Sequence, residues 1–219
     1  LNAPIEFTYL KQVLDDPRIA FVWFGDPGLA QVFSEKGFHY RYPLHFAPQP
    51  VQPKADILTL FCPDKPSKNI YAQLLAVAQL QRKHPELVLH TNVQDLRGLE
   101  SHLNVVRHGW LPRPEYHALL ASARVNLAAS FAETMCYQAV ESVLLGTPCV
   151  LTAATPWAPA EEPVSDMSAD SIAFYLERVL ERPDYTLQEQ LNALEHDSTL
   201  FFPEEWEHLC LDAFPLKRL

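Results

Sequence analysis

Residues 125–152 read V-N-L-A-A-S-F-A-E-T-M-C-Y-Q-A-V-E-S-V-L-L-G-T-P-C-V-L-T, and the pattern changes twice along them. Val125 to Ala129 is an apolar run of strand length. Met135 to Leu145 carries apolar residues at helical spacing and stops at Gly146, which enters left-handed backbone without a Cβ clash. Cys149 to Thr152 is a second apolar run. A strand, a helix and a strand at this spacing predict a right-handed crossover between two parallel strands that are buried on both faces.

The alternation continues outward. Upstream lie an apolar run at Asp56–Phe61 and a helix at Asn69–Lys83 with Tyr71, Leu74, Leu75 and Ala78 along one stripe. Strands at Leu87–Thr91 and Val105–His108 and a helix at Glu115–Ala123 follow. Downstream, Asp170–Leu180 places Ile172, Tyr175, Leu176, Val179 and Leu180 on one helical face. These segments predict an α/β domain built as three layers, a parallel sheet between helices.

Of 219 residues, 19 are proline and 6 glycine. Pro43, Pro48, Pro50 and Pro53 crowd one stretch, where fixed φ and missing donors favour an extended connector. We expect a boundary there, separating residues 1–48 from 49–219. The first part holds a strand at Ile19–Phe24, a turn at Gly25–Gly28, a helix at Leu29–Lys36 and a strand at Phe38–Tyr42. That is too little for a domain and reads as the remnant of a larger unit and its hinge.

With 48% hydrophobic and 20% charged residues the chain is globular. Seventeen basic against 27 acidic residues give a net charge of −10, which opposes nucleic acid as a partner. No apolar run approaches membrane-spanning length and no signal peptide is visible. Cys62, Cys136, Cys149 and Cys210 are too dispersed for a disulfide framework and point to a reducing, cytoplasmic compartment. No H-x-x-x-H and no D-x-D occurs, so neither a metal nor a cofactor is expected.

Parallel α/β sheets bind ligands beyond the carboxyl ends of their strands. Three loops there carry candidate chemistry. In the first, Lys65 and Lys68 precede a helix and suit an anion, or are solvated loop residues. In the second, Gly109 and Trp110 offer a stacking surface, or Trp110 is a core or lid aromatic. The third holds Glu133 in the strand-to-helix turn and Glu141 two helical turns on, a rise of ~10 Å, with Thr134, Met135 and Cys136 between them. Glu133 also reads as a helix-start carboxylate and Glu141 as a surface charge. The apolar neighbours Ala139, Val140, Val143, Leu144 and Leu145 argue against a surface role for Glu141.

The stretch E-T-M-C-Y-Q-A-V-E-S-V-L-L-G-T-P-C-V (133–150) resembles the E-x7-E signature of retaining glycosyltransferases with the GT-B fold, including its G-x-P and following strand. K-N at 68–69, H-G-W-L-P at 108–112 and A-R-V-N-L-A-A-S at 123–130 fall in the same order, so the resemblance covers about residues 40–185. It implies a Rossmann-like, nucleotide-sugar-binding half. Glu133 would contact the transferred sugar as the catalytic residue, Glu141 the ribose and Lys68 the diphosphate. Thr134, Met135, Cys136, Gly109 and Trp110 would complete the donor site. Two features depart from the family: Cys62 and Pro63 replace a Gly-Arg pair, and Thr134-Met135-Cys136 replaces G-F-G.

The activity implied is sugar transfer from a nucleotide-sugar to a glycan, lipid or protein acceptor, with the acceptor half missing. The isolated chain is then expected to bind donor without transferring, and to expose surface that favours self-association. A non-catalytic nucleotide-sugar-binding subunit is the alternative, and a phosphosugar epimerase is a third reading.

Overall fold

Side chains in the central strands alternate between two buried environments. This computed structural model describes residues 12, 15–18, 22–24, 37–39, 52–133, 135–160 and 166–198. The chain divides into two compact units, Leu1–His45 with Glu195–Leu219, and Phe46–Leu194. In the first unit, β1 (Val22–Phe24) pairs in parallel with β2 (Gly37–His39). The helix expected at 29–36 and the connector prolines at 43–50 lie outside the described residues.

The second unit holds five parallel strands, β3 (Ile57–Leu60), β4 (Val88–Thr91), β5 (Val105–Arg107), β6 (Val125–Ala128) and β7 (Cys149–Leu151), in the order β5-β4-β3-β6-β7. Its helices are α1 (Ile70–Lys83), α2 (Arg113–Ser122), α3 (Tyr137–Leu144), α4 (Ala169–Glu181) and, as far as Leu194, α5 (Pro183–Ser198). Leu58, Leu60, Val125, Leu127 and Val150 point to one face and pack with Leu74 and Val77 of α1 and Ile172, Leu176 and Val179 of α4. Residues between them in sequence, such as Cys149 and Leu151, are buried on the other face, where α3 packs on β6 and β7 and against α2. A period of two thus sorts one sheet into two cores. The architecture is the three-layer parallel α/β fold read from the sequence.

Local chemistry explains the element ends. The Ser168 hydroxyl caps α4 by accepting from Ser171 N at 3.2 Å. Gly146, at φ +82°, takes the left-handed turn after α3. Two sequence expectations need correction. Tyr71 is 54% exposed, because the buried face of α1 runs through Ile70, Gln73, Leu74, Val77, Leu80 and Gln81. And α5 continues where the reading stopped, with Pro183 at its start and Thr186, Leu187, Gln190 and Leu194 buried. Gln190 accepts from Cys149 N at 2.9 Å and donates to Cys149 O at 2.6 Å, closing the β7 edge as a strand would. Among the described residues, no helix is long and apolar enough to cross a membrane.

Candidate functional site

The chain leaves β3 toward β4 and β5 on one side and returns to β6 and β7 on the other, so the strand order reverses between β3 and β6. A cleft of ≈ 290 Å³ opens at the carboxyl ends of these two strands, where such sheets hold ligands. Leu60, Cys62 and Pro63 approach it from β3, Ser130 and Glu133 from β6, Cys136 and Gln138 from the start of α3, and Lys68 from the turn before α1.

Lys68 and Glu133 meet inside this cleft. The ammonium Nζ lies 2.6 Å from Glu133 Oε1, and the side chains are 19% and 7% exposed. Turn geometry and hydrogen bonds position the two loops for this meeting. Pro66–Lys68 forms a 3-10 turn that ends at Asn69 in left-handed backbone (φ 50°), a conformation asparagine tolerates. Asn69 Nδ2 donates to Met167 O at 3.0 Å. Phe131 N donates to Ser67 O at 2.8 Å, fastening the β6 loop to the β3 loop. Gln73, fully buried, donates to Lys68 O at 2.7 Å and accepts from Ala129 N at 3.0 Å.

At the start of α3, Cys136 adopts left-handed backbone (φ 57°), and no side chain caps the helix. This is the position of the second glycine in the resembled G-F-G, so a non-glycine residue holds the conformation a glycine would take at no steric cost. Met135 is buried, and its carbonyl accepts from Trp157 Nε1 at 2.7 Å. Beneath the cleft, Asn126 Oδ1 accepts from Thr59 Oγ1 at 2.9 Å and from Gln138 Nε2 at 2.7 Å. Burial pushes the Cys62 thiol up to about 12 despite the nearby Lys68 ammonium, and burial raises Cys136 as well. Burial thus disfavours the thiolate form at both cysteines.

Glu141 stands apart from the cleft lining. Its Oε1 accepts from Arg113 Nη2 at 3.1 Å and lies 3.5 Å from His117 Nε2, both on α2. The carboxylate is 23% exposed, so it keeps a route to water along with its cationic partner. Burial, then the Glu141 charge, push the Tyr116 phenol up. Nearby, His108 Nε2 and His90 Nδ1 share a hydrogen bond of 3.0 Å, and burial together with His108 lowers His90.

Of the residues singled out in the sequence, Lys68, Glu133 and Cys136 share the cleft. Lys68 is a partly buried ion-pair member and not a solvated loop residue. Lys65 is exposed and lines a separate hollow with Tyr71, Arg97 and Phe131. Gly109 and Trp110 are exposed, Trp110 by 86%, which excludes Trp110 from the core. Thr134 lies outside the described residues. Gln73, Arg113 and Trp157 join the surroundings of these residues without a motif in the sequence to single them out. Gln73 was visible as a polar residue on the inner stripe of α1, and Arg113 as a cation opening a helix.

No family model matches the sequence, and no curated protein matches it in sequence. Its fold does match solved structures. S. aureus TarM superposes with a TM-score of 0.74 at 16% identity, covering 93% of this chain and 46% of TarM. Sucrose-phosphate synthase from Thermosynechococcus elongatus gives 0.68 at 17% identity, covering 96% of this chain and 60% of that one. The pneumococcal O-GlcNAc transferase GtfA gives 0.66 at 17% identity, with 93% and 47% covered. The chain thus spans about half the length of these proteins. What they share with this chain is the fold, a Rossmann-like parallel α/β domain that corresponds to about half of each of these proteins.

Proposed function

We propose that this chain supplies the donor half of a glycosyltransferase site and binds a nucleotide-sugar at the β3/β6 cleft. The observation that carries the reading is the Lys68–Glu133 pair, a cation and a carboxylate brought together at the strand-order reversal next to the uncapped start of α3. Its fold neighbours support it: the GtfA structure is a complex with UDP and GlcNAc, and one TarM structure contains UDP.

In this reading Lys68 and the first amides of α3 receive the diphosphate, Glu133 the hydroxyls of the sugar and Glu141 those of the ribose. Transfer breaks the bond between the anomeric carbon and the phosphate oxygen, and the electron pair leaves with the nucleoside diphosphate. Lys68 and the helix amides stabilise that departing charge. The acceptor hydroxyl oxygen bonds to the anomeric carbon, and its proton passes to solvent. Positioning by Glu133 holds the anomeric carbon where an acceptor reaches it. The acceptor, a glycan, lipid or protein, is met by residues beyond this donor site. Cys62 and Pro63, standing where the family has Gly-Arg, leave Lys68 as the cation in the cleft lining. That observation favours a second reading, a subunit that binds nucleotide-sugar without transferring it.

Calorimetric titration with UDP, ADP, GDP and their glucose conjugates in the presence of a chelator tests the proposal. Binding by one base series is expected, together with its loss in Lys68→Ala. Unchanged affinity in Lys68→Ala, or binding abolished by the chelator, refutes the arrangement. Sugar transfer by the chain paired with its acceptor half separates the enzyme from the binding subunit.

A further inference from the structure

The carboxylate assigned to the sugar, Glu133, holds the cation assigned to the diphosphate, Lys68, at 2.6 Å. We infer that the Lys68–Glu133 ion pair makes the cleft discriminate between a nucleotide-sugar and the spent nucleoside diphosphate, favouring entry of the first and release of the second. The inference rests on the donor-site reading above and adds a specificity role to it.

Phe131 N is bonded to Ser67 O, and Gln73 bridges Lys68 O and Ala129 N, so the two loops are fastened to each other at two points next to the pair. Exchange of partners by the two side chains is then the least disruptive way for the pair to open. A diphosphate that recruits Lys68 leaves Glu133, at 7% exposure, with little water to replace the ammonium, and an unpartnered buried carboxylate is costly. It also meets that carboxylate as a like charge. A nucleotide-sugar brings its own remedy, because its hydroxyls donate to Glu133 as Lys68 turns to the phosphates. The spent diphosphate has no such donors. The same carboxylate that positions the sugar thus penalises the product once the sugar has gone, and the ion pair re-forms as the product leaves.

The test measures affinities for UDP, ADP and GDP and for their glucose conjugates by calorimetry in chelator, for wild type, Glu133→Gln and Glu133→Ala. Melting curves confirm that each variant is folded. In wild type the sugar conjugate of the preferred base is expected to bind more tightly than the bare diphosphate. Both variants are expected to bind the bare diphosphate roughly tenfold more tightly or better, the scale of a charged hydrogen bond, and to lose the preference for the conjugate. Equal wild-type affinities for conjugate and diphosphate overturn the inference, as does a bare-diphosphate affinity that does not rise in either variant. Both results leave the donor-site reading standing. Wild type that binds none of the six compounds overturns the donor-site reading and the inference with it.

Discussion

Replacing Gln73 with leucine removes two hydrogen bonds while nearly preserving side-chain volume, which isolates the polar contribution of one residue to the site. Gln73 is 1% exposed; its Nε2 donates to Lys68 O at 2.7 Å and its Oε1 accepts from Ala129 N at 3.0 Å. Leucine leaves a buried donor and a backbone acceptor without these partners. Each such group costs about 1–3 kcal/mol, so the substitution should destabilise by roughly 2–6 kcal/mol. For a chain of this size each kcal/mol lowers Tm by about 2–4 °C, which puts the fall at about 4 °C or more. The two bonds also hold the Lys68 turn against the β6 loop, so nucleotide affinity should fall together with Tm. Differential scanning calorimetry and the titration described above, run on the same preparation, measure both. A Tm within about 2 °C of wild type would show that the two backbone groups find other partners, and would refute the claim that Gln73 braces the cleft.

Glu141→Gln should weaken nucleotide binding by about 1–3 kcal/mol, seen as a higher Kd in the same titration. Its effect on Tm should be small, because the Arg113 partner is 67% exposed and such pairs contribute roughly 0–1 kcal/mol; a large Tm loss with unchanged Kd would mark Glu141 as structural. Lys54 donates to Ala121 O and Thr147 Oγ1, and burial lowers its ammonium from 10.5 to about 8. Between those values the unfolded chain binds more protons than the folded one, so this group's contribution to stability rises with pH. Wild-type Tm should therefore climb relative to Lys54→Met from pH 8 to pH 10, and parallel melting-temperature profiles would refute the assignment.

Much of the fold was legible because its signals are local. The apolar run at Val125–Ala129, the helical stripe stopped by Gly146 and the run from Cys149 appear as β6, α3 and β7. Tyr71 misled because an aromatic side chain suits a buried stripe and an exposed one equally, and the partner surface decides between them. The start of α5 at Pro183 was a readable signal, but its buried face is interrupted by polar residues, Thr186 and Gln190, whose burial depends on what they bond. Lys68 and Glu133 could be singled out one at a time as residues at strand ends.

The sequence by itself determined the parallel α/β class and the strand ends at which charged residues collect, since periodicity and helix stops act over a few residues. Only the tertiary structure decided that Lys68 and Glu133, 65 positions apart, form one ion pair while Glu141 turns to Arg113 on α2. The strand order sets that pairing: it places β3 beside β6 and brings their loops together. Coulomb attraction then joins whichever opposite charges those loops hold within reach in a partly buried cleft.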